Sequence, residues 1–555
     1  MTIKSYGELL ILKEKLVSWL NKITIEKNIN QDRYTVFLSY GNLNQRCKVW
    51  STSDEKLETV TKRLLNFVDK TYQADKTMLN LVKIDVAYNI NKKNWKDLVQ
   101  IVNEQPHNNH FRQSIAFDEK LSISFLEQEI YGKSIIKGLV FNEPNFFDEV
   151  NLNDALKKKY PAITHKIKLE KLQNVWVFDT YGAYFEDSEW VELHSTGCEN
   201  GTRLLNVNKK EHIKSLIIKN AEFLHNEIKD DGKFIYGYFP AYNREIKSYN
   251  TVRHCTAIYA LLETLEVDDN RQYLEKINLA IQYSIDHFYK EVDGAGFMID
   301  NVEDKPEIKL GSNATAIFMF AKYQEITKDS QYQKYAEKLA EGILKMVDSN
   351  GETTHVIDYP SLEVKEKFRI VYYDGEAALG LLRLFQINND TKLLDKVKLM
   401  FEHFITKKYD KYHDHWLSYC TNELTKLCPE EKYFQFGINN YLKHMDFIGD
   451  RKTAYATFLE MMMSAYKMIV RMKALGMNEL YEKAKFEELK KLIELRVQFQ
   501  RATGYFYPEV AMYMGKPEKI INSFYVRHDR FRTRIDDQEH NLSGYVAYYN
   551  FFIEN

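Results

Sequence analysis

The sequence predicts a mainly α-helical protein, in which a helical domain over residues 205–555 follows a smaller α+β domain over residues 1–195. Up to about residue 190, short strands and helices are mixed. From about residue 209, apolar residues recur with the helical period of about 3.6 residues and continue to do so to the end of the chain. A chain of 555 residues also exceeds one ordinary hydrophobic core, so two or three domains are expected.

Composition and charge narrow the class of protein. Hydrophobic residues make up 44% and charged residues 28%, which is typical of a folded, soluble chain. The net charge of −2 favours neither nucleic acid nor an acidic membrane as a partner and leaves a small anionic ligand open. The N-terminus lacks a secretory pattern, and no run approaches the roughly 18 apolar residues of a membrane span. A cytoplasmic protein with reduced thiols is expected from five scattered cysteines: Cys47, Cys198, Cys255, Cys420 and Cys428.

The N-terminal domain has a pattern of strands but no recognisable chemistry. Residues 33–40 and 45–50 predict a β-hairpin across Gly41-Asn42, followed by a helix at 54–71 and a strand at 81–89. Two aromatic strands are predicted within 173–194, around Tyr181-Gly182. The domain contains no Gly-rich phosphate loop, zinc-ligand spacing or nucleophile elbow, so no reaction is assigned to it.

The C-terminal domain is predicted to be a ring of helical hairpins. In each pair of helices the second is apolar and begins with polar residues, as in GSNATAIFMFAKY, whereas the first has a Lys/Glu-rich face, as in DSQYQKYAEKLAEGILKMV. An apolar helix is surrounded by protein and a one-sided helix faces water, so inner helices sheathed by outer helices are expected. The six pairs are 209–229 with 250–267, 271–290 with 313–328, 330–347 with 375–388, 391–408 with 414–427, 432–447 with 453–474, and 478–500 with 538–553.

Loops rich in Gly and aromatic residues (DGKFIYGYFPAY, VDGAGFMID and RATGYFYPEV) are predicted to line the mouth of this ring. The pattern resembles the (α/α)6 toroid of six-hairpin glycosidases, many polysaccharide lyases and uronyl epimerases. The resemblance covers about residues 205–555 and rests on the repeat number and these loops, not on the signature of one family. Lanthionine and terpenoid cyclases share the same superfold, so the fold alone does not name the reaction.

Polar residues at the starts of the inner helices are the candidates for a functional site. If the six helices point the same way, their first turns surround one cavity, and helix N-termini favour anionic groups. Ordinary N-caps could explain Asp374, Asp414, Asn313 and Asp536. Capping does not explain Arg253-His254, His415-Trp416 or Gln538-x-His540, because cations are disfavoured at the positive end of a helix. Such a shared departure from the usual pattern indicates function.

Two of the motifs combine a charged group with a candidate acid or base. In Asn250-x-x-Arg253-His254, Arg253 would hold a carboxylate or phosphate and His254 would transfer protons. The alternative is a buried Arg paired with an acid of the neighbouring helix. In Tyr372-Tyr373-Asp374-Gly375-Glu376, Glu376 would be a general acid or base, because burial in an apolar helix raises its pKa. Here the alternative is a capping carboxylate.

Two further motifs supply imidazoles. His413-Asp414-His415-Trp416 suits proton transfer beside a ring that stacks on a sugar. A zinc site is a less favoured alternative, since zinc needs three or four ligands and Cys255, Cys420 and His540 would meet these histidines only by chance. The segment Arg532–His540 is either a solvated turn or, because it leads into the last apolar helix, a source of Arg534, Asp536 and His540 for the cavity.

These motifs predict a carbohydrate-active enzyme without a cofactor or metal, acting on an acidic or phosphorylated saccharide by hydrolysis, β-elimination or epimerisation. Of its two settings inside a cell, import of oligosaccharides and metabolism of surface polysaccharides, we favour the second. The alternatives are a peptide-modifying or partner-binding toroid of the lanthionine-cyclase type and a non-catalytic scaffold. The predicted catalytic residues are Glu376, Asp536, Asp414, His254, His415 and His540. The predicted substrate-binding residues are Arg253, Arg534, Asn250, Asn313, Tyr238, Tyr373, Asp374, Trp416 and Gln538.

Overall fold

The computed structural model describes residues 5–29, 32–107, 110–138, 144–302 and 305–553. The chain forms two compact units. Unit 1 comprises Met1–Asn206, Tyr238–Glu245 and Ala502–Thr533, and unit 2 comprises Val207–Gly237, Ile246–Arg501 and Arg534–Asn555. The first boundary lies close to the predicted one, but two segments from the predicted helical domain belong to unit 1.

The described residues form helices and strands throughout. The helices are α1 (Tyr6–Glu26), α2 (Leu57–Asp75), α3 (Trp95–Asn103), α4 (Glu127–Gly132), α5 (Glu149–Lys159), α6 (Lys209–Asn226), α7 (Thr251–Thr264), α8 (Tyr273–Phe288), α9 (Leu310–Thr327), α10 (Gln333–Lys345), α11 (Tyr372–Asn388), α12 (Thr391–Thr406), α13 (His415–Leu427), α14 (Glu431–Leu442), α15 (Met445–Asp450), α16 (Thr457–Ala474), α17 (Asn478–Lys483), α18 (Phe486–Thr503), α19 (Pro508–Ala511) and α20 (Ile535–Tyr548). The strands are β1 (Tyr34–Gly41), β2 (Lys48–Asp54), β3 (Leu81–Asn94), β4 (Ser114–Ala116), β5 (Ser124–Phe125), β6 (Ile136–Lys137), β7 (Phe146–Phe147), β8 (Asn174–Glu186), β9 (Glu189–Glu192), β10 (Gly237–Phe239), β11 (Arg244–Glu245), β12 (Tyr289–Val292), β13 (Ala295–Val302), β14 (Lys305–Lys309), β15 (Val356–Asp358), β16 (Val364–Glu366) and β17 (Thr533–Arg534).

Unit 1 is an α+β domain built on a seven-stranded antiparallel sheet. The strand order is β2-β1-β3-β8-β4-β5, and β9 pairs with β8. Helices α1 and α2 share one hydrophobic core with β1 and β3, to which Leu16, Leu64 and Ile84 contribute. The predicted hairpin, helix 54–71 and strand 81–89 are confirmed as β1–β2, α2 and β3.

The turn between the two aromatic strands differs from the prediction. The chain turns at Asp187 and Ser188, whose φ angles are 49° and 66°, and Gly182 lies inside β8. A Cβ at Gly182 would lie 2.5 Å from Asp85 Oδ1, and Asp85 pairs with the buried Lys83 at 2.5 Å. This glycine therefore makes room for a buried ion pair and does not mark a turn.

Unit 2 is a closed ring of six helical hairpins within the described residues. The outer helices are α6, α8, α10, α12, α14 and α18, and the inner helices are α7, α9, α11, α13, α16 and α20. Each inner helix contacts the next one, and α20 closes the ring by packing on α7. The predicted fold class is confirmed: an (α/α)6 toroid preceded by a smaller α+β domain.

Burial explains why the two kinds of helix differ in sequence. All residues of α9 from Leu310 to Tyr323 are buried, whereas α10 buries one stripe that includes Ala336, Leu339 and Ile343. Three of the inner helices begin three residues before their predicted starts: α9 at Leu310, α11 at Tyr372 and α20 at Ile535. Polar residues expected just ahead of those helices therefore lie inside their first turns. None of the described helices is both long and apolar enough to span a membrane.

The three Gly-aromatic loops have different positions. VDGAGFMID forms the β12–β13 hairpin, which turns at Asp293 and Gly294 and belongs to a five-stranded sheet with β14, β15 and β16. Asp300 of this loop accepts a hydrogen bond of 3.0 Å from the backbone N–H of Thr251 at the start of α7. This loop therefore lies at the inner-helix N-termini, as predicted. Residues 238–242 of the first loop and 502–510 of the third belong to unit 1.

Close packing of α11 on α13 requires a glycine, and we expect Gly375→Ala to destabilise the ring. The new Cβ would lie 2.7 Å from the backbone nitrogen of Leu417 and 2.8 Å from Asp414 Oδ2. Overpacking of this kind costs about 1–3 kcal/mol, to be measured by urea unfolding. Gly449→Ala is the matched control, because the heavy atom nearest to its new Cβ is Leu492 Cδ1 at 3.6 Å. The stability of this variant should be unchanged or slightly raised. Equal stability of the two variants would contradict this packing.

Candidate active site

Four inner helices bring ionisable side chains from their first two turns into one buried group. We name it the acid–imidazole cluster, and its members are Glu376 of α11, His415 of α13, Glu460 of α16, and Glu539 and His540 of α20. Four members are at most 3% exposed, whereas the His540 side chain is 20% exposed. The cluster therefore meets solvent at His540. Arg253 of α7 lies near enough for its charge to act on Glu376.

The contacts within the cluster centre on His540. Its Nδ1 lies 2.8 Å from Glu460 Oε2 and 3.1 Å from Glu539 Oε2. The His415 and His540 rings are nearly perpendicular, with centres 5.1 Å apart. The Tyr419 hydroxyl donates a hydrogen bond of 3.0 Å to Glu460 Oε1. Residues from α13, α16 and α20 thus share one hollow.

Several buried polar atoms here have no hydrogen-bond partner among the described residues. They are Glu376 Oε2, His415 Nε2, Glu460 Oε2, His540 Nδ1 and both carboxylate oxygens of Glu539. The close approach of Glu460 Oε2 and His540 Nδ1 is an ion pair that is not aligned as a hydrogen bond. Because buried polar atoms are almost always hydrogen-bonded, a group of unpaired ones marks a place where a ligand completes the bonding.

Burial and neighbouring charges shift the pKa values in the cluster. Burial, aided by the charges of Asp414 and Glu539, raises the pKa of Glu376 to about 8. Burial likewise raises the pKa of Glu460 to about 8. Burial lowers the pKa of His415 well below its ordinary value. Burial also acts to lower the pKa of His540, but Glu539 and Glu460 outweigh it and raise this pKa well above 6.5. Carboxyl groups that retain protons near neutral pH are typical of active sites.

Aromatic rings and a glycine shape the space around Glu376. The carboxylate of Glu376 lies over Gly311, where any side chain would collide with it and with the Tyr373 ring. Trp416 packs beside both imidazoles, its ring centre 4.9 Å from that of His415 and 6.3 Å from that of His540. The structure therefore brings Tyr373 and Trp416 to the cluster.

Two arginines flank one aspartate beside the cluster. Arg253 Nε donates to Asp536 Oδ2 at 2.9 Å, and Arg534 donates to both carboxylate oxygens of Asp536. Arg253 also donates a hydrogen bond of 2.6 Å to the Tyr236 hydroxyl. Two guanidinium groups on one carboxylate leave a net positive charge, which suits an anionic ligand. Asp536, predicted as an acid or base, is the counter-ion of both arginines. Because its carboxylate is held by two guanidinium groups, it is poorly placed to transfer protons.

Three predicted residues stabilise packing between helices and do not join the cluster. His254 is fully buried; its Nδ1 accepts from the Tyr249 hydroxyl, and its Nε2–H donates to the Ala280 carbonyl, both at 2.8 Å. The Asn313 amide bonds to the backbone of β13 and α10. The Gln538 amide connects Asn220 of α6 with the backbone of Arg534. Helix propensity and spacing could not reveal the partners that come from other helices, namely Ala280 of α8, Leu339 of α10 and Asn220 of α6.

Four more predicted residues have structural contacts. Asp414 is the N-cap of α13 and accepts from the backbone N–H groups of Trp416 and Leu417, and Asn250 is the N-cap of α7. Asp374 is no cap, since it accepts from Thr353 and His355. Tyr238 belongs to unit 1, where Lys519 lies over its ring. The capping alternative is thus correct for Asp414, which in addition lies 3.3 Å from His415 Nδ1.

The sequence reasoning missed Glu460, Glu539 and Tyr419. Glu460 is the single charge in the apolar run ATFLEMMMSAY, a signal equal to the one used for Glu376. Glu539 lies in the charged segment Arg532–His540, where its charge alone does not distinguish it from its neighbours. Tyr419 had no signal, because its partner Glu460 lies 41 positions away in the sequence.

Comparisons with known proteins find similar solved structures but no matching family. No family model matches the chain, and no curated protein matches it. Among solved structures, the chain is similar to a D-mannose isomerase (12% identity, 62% of this chain and 99% of that chain, TM-score 0.46). It is also similar to a cellobiose 2-epimerase from Bacillus thermoamylovorans B4167, with 12% identity over 61% of this chain and 99% of that chain and a TM-score of 0.46. A third similar structure is the GH76A α-1,6-mannanase from Salegentibacter sp. HEL1_6, with 13% identity over 60% of this chain and 98% of that chain and a TM-score of 0.41. Similarities this weak carry no argument about reaction or substrate.

We expect Glu376→Gln to stabilise the protein at alkaline pH. The pKa of Glu376 is about 8 in the folded protein against an ordinary 4.5, so the folded state holds more protons than the unfolded chain between these values. Its contribution to stability therefore falls as pH rises from 4.5 to 8, and glutamine removes that loss. The variant should exceed the parent by on the order of 1–3 kcal/mol near pH 8.5, and the gain should shrink toward pH 5.

Urea unfolding across this pH range measures the difference. Glu402→Gln, on the exposed side of α12, is the matched control and should show no such trend. A gain from Glu376→Gln that is independent of pH would show that the carboxyl ionises normally.

Proposed function

We propose that unit 2 is an enzyme that transforms an acidic or phosphorylated saccharide, with Glu376 as its general acid or base. The observation that carries the proposal is this carboxyl group: it is 3% exposed, its pKa is about 8, and its Oε2 has no hydrogen-bond partner among the described residues. An acid or base is most effective when its pKa lies near the working pH.

The surroundings of Glu376 support a saccharide substrate. Tyr373 and Trp416 lie beside the cluster, and the ring centre of Tyr372 lies 5.3 Å from that of His415. Aromatic faces cover the C–H faces of sugar rings, and ligand sites combine such rings with a few placed polar groups. The excess positive charge of Arg253 and Arg534 supplies a place for a carboxylate or phosphate.

Among the three reactions, the pKa shifts in the acid–imidazole cluster favour proton transfer at carbon over hydrolysis. Glycoside hydrolysis uses a carboxylic acid together with a second carboxylate that stays ionised. Burial here raises the pKa of both Glu376 and Glu460 to about 8. A group such as Glu376 is matched to abstraction and return of a proton next to a carbonyl or carboxylate, as in epimerisation or β-elimination.

The lanthionine-cyclase alternative has less support. That reading needs a zinc site with two cysteines and a histidine, and within the described residues the group able to hold a metal contains no cysteine. Cys255 and Cys420 are fully buried, and burial raises the pKa of both thiols. All five cysteines are free thiols, which supports the proposed cytoplasmic location.

Incubation in D2O with uronic acids, sugar phosphates and oligosaccharides that contain uronic acids tests the function. We expect solvent deuterium at a carbon next to a carbonyl or carboxylate, seen by NMR, together with an epimer or an unsaturated product. Glu376→Gln should lower the rate by about 100-fold or more, whereas the surface variant Glu402→Gln should retain it. Release of reducing sugar without exchange at carbon would refute proton transfer and indicate a hydrolase.

A second prediction concerns the anionic group of the substrate. Arg253→Gln should raise KM by about 10-fold or more for a charged sugar but not for its neutral analogue, because it removes one charge-assisted contact. Arg271→Gln, an exposed position near α8, is the control and should leave both KM values unchanged. An equal change for the charged and neutral sugars would place the anion elsewhere.

A further inference from the structure

We propose that His415, Glu460 and His540 bind one divalent metal ion of the zinc type. One ligand atom from each of the three residues lies within 4.8 Å of the others, and the three side chains come from three different inner helices. Two imidazoles and one carboxylate form a donor set that zinc accepts, with metal–ligand bonds of about 2.0–2.2 Å. Small side-chain rotations bring atoms at this spacing onto one ion.

The unpaired atoms are the second observation. His415 Nε2 and Glu460 Oε2 are buried, belong to residues at most 2% exposed, and have no hydrogen-bond partner among the described residues. His540 Nδ1 is likewise unpaired, although both Glu460 and Glu539 lie close to it. A shared metal ion would satisfy all three atoms at once, since each offers a lone pair when the imidazoles are neutral.

Two of the proposed ligands have a polar neighbour at the atom that would not bind the ion. Asp414 Oδ1 lies 3.3 Å from His415 Nδ1, which leaves Nε2 for the ion. The Tyr419 hydroxyl donates to Glu460 Oε1, which leaves Oε2 for the ion. Carboxylates and hydroxyls behind metal ligands fix their tautomer and direction, and their removal typically weakens metal binding by about 10–100-fold.

Charge balance agrees with a divalent ion. Metal binding would displace the proton that Glu460 otherwise retains, and the carboxylates of Glu460 and Glu539 together offset two positive charges when His540 is a neutral ligand. Both side chains are 1% exposed, so solvent does little to compensate them. Unpaired buried carboxylates are costly, and a bound cation removes that cost.

The inference rests on the proposed function for its chemical meaning. Zinc sites with three protein ligands keep a further position for water or substrate, and the ion polarises a bound carbonyl or carboxylate oxygen. A polarised oxygen makes the neighbouring C–H more acidic, which suits proton transfer by Glu376. The substrate class would then be a sugar with a carbonyl or carboxylate beside the reacting carbon.

Metal binding can be tested without a substrate. The full chain, purified without chelator, is analysed for metals, then stripped with EDTA and titrated with ZnCl2 by calorimetry, with MgCl2 as a second probe. We expect one zinc per chain, a higher Tm with zinc, and little response to magnesium, because imidazole favours zinc over magnesium. His415→Asn and Glu460→Gln should each weaken zinc binding by about 100-fold or more, since each removes a ligand.

Two further variants keep the ligands and the fold. Asp414→Asn keeps one of the two hydrogen bonds by which Asp414 caps α13, since asparagine is also a preferred N-cap, but removes the carboxylate beside His415. Tyr419→Phe removes only the hydroxyl that orients Glu460. Each should weaken zinc binding by about 10–100-fold with an unchanged circular dichroism spectrum. His287→Asn, an exposed histidine of α8, is the control and should bind zinc as the parent does.

Absence of stoichiometric zinc, or equal zinc binding by the ligand variants and the control, would overturn the metal site. The proposed function would survive that result if the D2O assay still showed exchange at carbon. Conversely, zinc binding that follows the ligand variants without any turnover of sugars would support the site and reject the proposed function.

Discussion

Closure of the inner ring is the constraint on which the active site depends. When α20 packs on α7, Arg253 and Asp536 meet although they lie 283 positions apart in the sequence. The same closure places His540 beside His415 and Glu460. Apolar burial along all six inner helices drives this closure, because a helix that is hydrophobic on every side must be enclosed by protein. The site is therefore a consequence of core packing.

The cluster costs stability that the rest of the ring must supply. Three carboxylates and two imidazoles are buried with several unpaired atoms, and each such atom costs on the order of 1–3 kcal/mol when no ligand is bound. The apolar faces around them compensate, as α9 shows with an unbroken run of buried residues. Local departures from good packing that are maintained by their surroundings are typical of functional sites.

Outside the cluster, polar residues at the helix starts stabilise the helices and the packing between them. Asn313 joins α9 to β13 and α10, Gln538 joins α20 to α6, and Asp414 caps α13. Asp414 also contacts His415, so one side chain contributes to both the fold and the site. Unit 1 has its own buried ion pairs, such as Lys83 with Asp85, and no reaction is assigned to it.

Helix periodicity was enough to predict six hairpins, the difference between inner and outer helices, and Glu376 as a buried carboxyl, because all of these follow from local burial. The partners of each polar side chain did not follow from sequence. The sequence predicts that Arg253 and Asp536 share a cavity, but it does not predict that Arg534 binds the same carboxylate. His254 follows Arg253 in the sequence and is predicted to act with it, whereas its ring is hydrogen-bonded to Tyr249 and Ala280. A hydrogen bond between distant segments forms only when each helix is rotated about its axis so that the two side chains face each other. That rotation is determined by the packing of the closed ring.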